Sequence, residues 1–147
     1  VIGKNELATT PEAVMAGSNT VVMGLLQGVQ TNIPVSAHTV HVDDVARAHV
    51  QALDPKITNN QNFGCTTLLE GIVWEDAFNI VKKHFPEAVE KGILPLGGSH
   101  VLQKKPKYDC HKTEEVMGFK FQSFEAQVVS LVSWYLEVVQ KKQAQTH

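Results

Sequence analysis

Apolar positions along this chain repeat mostly at helical spacing, with a few short β-branched stretches between. The strongest repeat is near the C-terminal end, where Phe124, Val128, Leu131, Tyr135 and Val138 form one stripe and Val129, Val132, Leu136 and Val139 a second beside it. Two adjacent stripes make a broad apolar face, which predicts a long core helix capped by Ser123, with the polar residues 141–147 fraying. Trp74, Ala77, Phe78, Val81 and Phe85 fall at i, i+3, i+4, i+7 and i+11 and predict an amphipathic helix over about 73–84, ended by Pro86.

Between positions 39 and 53 the period changes. Thr39, Val40, His41 and Val42 read as a short β-branched strand. Asp43 or Asp44 then offers a side-chain oxygen to cap a helix running to Leu53. Val45, Ala48, His49 and Ala52 share one face of that helix, and alanines at 46, 48 and 52 leave little side chain, so it is expected to lie close against a sheet.

Weaker signals fill the remainder. They predict one helical turn at 11–15, a helix over about 20–27 with caps among Gly17, Ser18 and Asn19, and a loop from 30 to 37. A polar turn at 58–61, a strand at 62–66 and a small helix at 111–117 stopped by Gly118 follow. Residues 87–107, with Pro95, Gly97, Gly98 and Pro106, read mostly as loop around a short strand at 92–96. Strands alternating with helices place the chain in the α/β class.

The 147 residues suffice for one domain; 43% are hydrophobic and 19% charged, ordinary for a globular chain. A net charge of −2 and a single arginine, Arg47, give no electrostatic reason to expect nucleic acid or an anionic membrane as partner. No apolar run approaches the roughly 20 residues that span a bilayer, and no signal-peptide pattern opens the chain, so cytoplasmic is the default localisation. Cys65 and Cys110 form no CxxC; a reduced pair is the simpler reading and one disulfide stays compatible with it.

The stretch V-H-V-D-D-V-A-R-A-H at 40–49 resembles a segment of the extended short-chain dehydrogenase/reductases, of the NAD-dependent epimerase/dehydratase superfamily. Within them it is most similar to the dihydroflavonol reductase, cinnamoyl-CoA reductase and fungal ketone and aldehyde reductase branch. V-I-G at 1–3, the helix around 18–27 and M-G-F-K-F at 117–121 before a long helix continue the resemblance. It implies that residues 1–147 are one segment of a Rossmann-type reductase, the substrate-side subdomain plus the last strands and helices of the cofactor-binding fold. The N-terminal dinucleotide-binding half would then be absent.

In the family, a strand of pattern P-x-x-V-x-G passes beneath the nicotinamide end of the cofactor, and Val1 and Gly3 would be its last residues, with Lys4 where relatives carry proline. Ser18 is most simply an N-cap; by resemblance it also matches a serine near the cofactor's carboxamide. Val1 and Ser18 are therefore the candidate cofactor-binding residues, for NADP or NAD in an intact enzyme and weakly or not at all in this chain.

No glycine-rich loop follows a predicted strand, so the pyrophosphate cradle is missing. Tyr108 and Lys112 spell the family's catalytic Y-x-x-x-K, in which a lysine on the same helical face lowers the tyrosine pKa. The match reads as a coincidence, because the family's pair precedes the P-x-x-V-x-G strand and Pro106 opposes a helix through Tyr108. Asp109 to Lys112 instead matches a D-x-S-K, with His111 in place of serine. No catalytic residue is assigned.

No metal ligand is assigned either. On a strand His38 and His41, three apart, would point to opposite faces and could not share an ion. Asp43 and Asp44 read as cap and helix-dipole complement rather than a carboxylate dyad. The expected function is the C-terminal part of an NAD(P)H-dependent oxidoreductase acting on a small carbonyl or alcohol, inactive in isolation. The rival is a cofactor-free binding or regulatory remnant of the same fold.

Overall fold

The computed structural model describes residues 1–57, 60–97 and 100–145. Its longest helix is α7 (Phe124–Gln145), which buries Phe124, Val128, Leu131, Val132, Tyr135 and Val138 and half-buries Leu136 and Val139, the two stripes expected. The Ser123 hydroxyl accepts the Ala126 N–H at 3.2 Å, as a cap should. Of the residues expected to fray, 141–145 remain helical, and Lys141 and Lys142 reach Glu137 at 3.9 Å and Glu12 at 3.3 Å. Residues 146–147 lie outside the described residues.

Against α7 pack α1 (Pro11–Val14) and α4 (Asp76–His84). Trp74, Ala77 and Val81 are buried and Phe78 and Phe85 half-buried, so the stripe is as expected although the helix begins three residues late. Pro86 both ends α4 and opens α5 (Pro86–Glu90), at a first-turn position where its missing N–H has no intrahelical partner to lose. Between α1 and the sheet come a 3₁₀ turn, Gly17–Asn19, and α2 (Thr20–Leu26).

The sheet lies where loops were expected. Strands β1 (Thr31–Ser36) and β2 (Val101–Lys104) pair in parallel, Val35 opposite Gln103 and Ser36 opposite Lys104. Their register breaks between Thr31 and Val35, the interval that holds Pro34. Proline has no N–H to give a ladder, and an edge strand or a bulge is where a sheet accommodates it. Conversely, the strand expected at 39–42 contracts to a single parallel bridge between Ile2 and His41, because α3 (Val42–Gln51) already claims Val42.

Residues 62–66 form no ladder either; the segment lies beside Thr39 through Thr67 N–H to the Thr39 carbonyl at 2.8 Å. At 92–96 the chain turns back on α5, with the Ile93 and Leu94 N–H groups donating to the Ala88 carbonyl. Of the polar turn expected at 58–61, Thr58 and Asn59 lie outside the described residues. The small helix α6 (His111–Met117) ends at Gly118 as expected.

Two apolar clusters result. The larger joins α1, α2, α4, α7 and Leu94; the smaller holds Val40, Ala48, Cys110, Met117, Phe119 and Phe121 between α3 and α6. Where α2 leads toward the sheet, Leu96 N–H donates to the Leu26 carbonyl at 3.0 Å and Gly28 crosses Gly97 so closely that a Cβ on Gly97 would stand 2.8 Å from the Gly28 Cα. The helical face of α3 that was expected to pack is only half used: Ala48 is buried and Val45 half-buried, but His49 and Ala52 are exposed.

Candidate functional site

The chain's first residues build one side of a cleft of about 430 Å³, lined by Val1, Gly3, Lys4, Gly17, Ser18 and Asp43 among others. Ile2 is held by backbone alone: its N–H donates to the Val40 carbonyl at 2.8 Å and its carbonyl accepts the Val42 N–H at 3.0 Å. Gly3 then passes so near α3 that a Cβ there would meet Val42 Cγ1 at 2.8 Å. Asn19 fixes the opposite wall. Its buried amide accepts the Gly3 N–H at 3.2 Å and donates to the Gly3 and Val14 carbonyls at 3.0 and 3.3 Å.

This lock leaves Ser18 exposed at the rim, its hydroxyl donating to the Val1 carbonyl at 2.6 Å. Ser18 is therefore not the N-cap that was expected: its proton goes to the first residue of the chain, and it sits inside the 3₁₀ turn. The structure brings Val1 and Ser18 together on one cleft. The sequence reading missed Asn19 as their organiser, having treated it only as one of three candidate caps.

The remaining candidates separate. The cap of α3 is His41, buried, whose Nδ1 accepts the Asp43 N–H at 3.1 Å, so neither aspartate performs that role. Asp43 is exposed at the cleft, whereas Asp44 is buried and accepts from Gln122. Tyr108 lies before α6 and Lys112 within its first turn, so the Y-x-x-x-K residues share no helical face. His111 and Asp109 form their own pair at 2.7 Å, and the hydrogen bonds from His111 hold the Asp109 carboxyl below the usual range.

His38 is bound to Thr66 Oγ1 at 3.2 Å and to the Pro106 carbonyl, and His49 Nδ1 donates to the Val45 carbonyl at 2.7 Å. Among the described residues no group of three histidine, cysteine or acidic side chains is placed to hold a metal ion. Burial raises the pKa of both cysteine thiols, with Asp44 adding to it at Cys65 and Glu114 at Cys110. Neither thiol is activated as a nucleophile.

The fold is that of the Rossmann-type reductases. It superposes on yeast methylglyoxal/isovaleraldehyde reductase Gre2, solved in complex with NADPH, with a TM-score of 0.63 at 18% identity, covering 95% of this chain and 45% of that one. No family model matches the chain. In sequence it is 43% identical over 144 residues to the ketoreductase CTB6 of Cercospora beticola, and 29% identical over 140 residues to the NAD-dependent epimerase/dehydratase ALT6 of Alternaria alternata. These alignments take in 96% and 88% of this chain but 40% and 39% of the relatives, so the chain spans about two fifths of their length. It belongs to the extended short-chain dehydrogenase/reductases and corresponds to the C-terminal part of such a reductase.

Among the described residues no helix is long and apolar enough to cross a membrane.

Proposed function

We propose that this chain supplies the substrate-side part of a reductase that interconverts a small carbonyl compound and its alcohol with NADP(H) or NAD(H). The cleft of Val1 and Ser18 would border the nicotinamide end of the cofactor. The Ser18–Val1 hydrogen bond carries the reading. With its proton committed to the Val1 carbonyl, the Ser18 oxygen keeps its lone pairs for an incoming N–H, and a carboxamide offers one. Asn19 holds both walls in place before any ligand arrives, so ordering them costs little at binding.

The chemistry that a reduced nicotinamide supplies is hydride transfer to a carbonyl carbon. The residues present fit only that end of the cofactor. The sequence has no glycine-rich turn after a strand to cradle a pyrophosphate, and its Y-x-x-x-K residues, Tyr108 and Lys112, share no helical face from which to hand over a proton. Alone, it should bind NADPH weakly and turn nothing over.

Two measurements test the proposal. NADPH oxidation is followed with the isolated chain and a panel of aldehydes and ketones; robust turnover overturns the assignment as a partial catalyst. The same panel is run after joining the chain to the N-terminal half of a relative such as CTB6. A KM for NADPH that rises when Ser18 is replaced by alanine supports the cofactor-side role; an unchanged KM for NADPH removes it.

A further inference from the structure

A second cleft, of about 350 Å³, opens on the side of α2 that carries Met23 and Gln27. Its walls are mainly apolar, from Met15, Met23, Gly24 and Val29, with Thr20, Gln27 and Tyr135 supplying the polar atoms and the Thr20 hydroxyl already donating to the Met15 carbonyl at 2.8 Å. Tyr135 is 8% exposed. Its hydroxyl accepts from Gln27 Nε2 at 3.3 Å, and that amide also donates to the Ile93 carbonyl at 3.1 Å. Among the described residues the hydroxyl's own proton has no acceptor. Burial, reinforced by the Glu12 carboxylate, pushes the phenol pKa up, so the proton stays in place.

A hydroxyl proton at the wall of a cleft is free to be donated to whatever occupies it, and a cleft of this size is within the range that holds small molecules. We infer that this cleft is a binding site for an uncharged, mainly apolar molecule bearing one hydrogen-bond acceptor, such as a carbonyl or ether oxygen, which takes the Tyr135 proton while its hydrocarbon lies on Met15 and Val29, above the buried Met23. The site is independent of the cofactor-side cleft and needs neither nicotinamide nor turnover.

The chain contains three methionines, at 15, 23 and 117, and Met117 lines a different cavity with Phe63 and Cys65. Methyl-¹³C-methionine NMR of the chain, titrated with acetophenone, therefore reads the site directly. The expected result is saturable movement of the Met15 and Met23 methyl signals while Met117 stays still. Tyr135→Phe should weaken acetophenone about tenfold, the worth of one hydrogen bond, and leave ethylbenzene unaffected.

Gly24→Leu provides a second variant. A Cβ at Gly24 would stand 3.7 Å from the Val29 Cβ, ordinary contact, so the longer side chain fills the cleft and both ligands should be lost. Equal, non-saturating movement of all three methyls, movement of Met117 alone, or undiminished acetophenone binding by Tyr135→Phe overturns the inference. None of these outcomes bears on the cofactor reading.

Discussion

The buried carboxylate of Asp44 accepts two hydrogen bonds from Gln122, from the backbone N–H at 2.7 Å and from the side-chain amide at 3.1 Å. Seventy-eight positions separate the two residues, and the contact fastens α3 to the segment that leads into α7. Asp44→Ala strips both bonds and leaves a backbone donor without its partner. Stability should fall by roughly 1.5–3 kcal/mol, read from urea denaturation. Asp44→Asn, which keeps an acceptor oxygen, should lose less.

Asn19→Ala is expected to act locally and globally at once. The Gly3 N–H and carbonyl lose their amide partner in a buried site, a cost of roughly 1–3 kcal/mol. Amide hydrogen exchange at Gly3 and Lys4 should accelerate more than exchange in α7. Equal acceleration throughout would mean that Asn19 holds the fold rather than the cleft.

Leu131 lies in the first half of α7 and is fully buried. Leu131→Ala should cost roughly 2–5 kcal/mol, the transfer term plus the cavity left behind. A loss near zero would show that α4 and α7 collapse onto the space, and a thermal melt distinguishes the two.

Glu125 bridges α7 to α4, accepting from Lys83 at 2.8 Å and His84 at 2.6 Å. Those two hydrogen bonds, Lys83 first, bring its pKa from 4.5 to about 2. A carboxyl whose folded pKa is depressed stabilises above its ordinary value, and that contribution disappears as pH falls from about 4.5 through about 2. Glu125→Gln should therefore flatten the fall of Tm across that window, with parent and variant converging at its acid end. The group is solvent-facing, so high salt should shrink the difference.

Much of this architecture was legible because it is written in local periodicity. The α7 stripes, the Trp74 to Phe85 stripe and the Gly118 stop each need only a few neighbouring residues to specify them. What escaped depends on partners far away in the chain. β1 carries a proline and pairs with a four-residue strand about seventy positions on, and neither half announces the other. Val42 illustrates the converse, since a β-branched residue taken for a strand was captured by the helix after it.

The cleft followed the same division. Val1 and Ser18 were named through resemblance and line one cleft, whereas Asn19, which joins its walls, was hidden because an asparagine beside a helix start looks like any cap. His41 displaced the two aspartates as cap for a similar reason. A ring nitrogen serves as well as a carboxylate when burial places it over the first turn, and only three-dimensional context says which will be used.

The crossing of Gly28 and Gly97 has its own corollary. The segments that lead into β1 and into β2 touch there with bare main chain, and a single methyl on either would press on the other. Drift at one position cannot be rescued by a smaller neighbour at the other, since nothing smaller exists. Descendants of this sequence can rewrite what flanks the notch but must inherit both halves of it together.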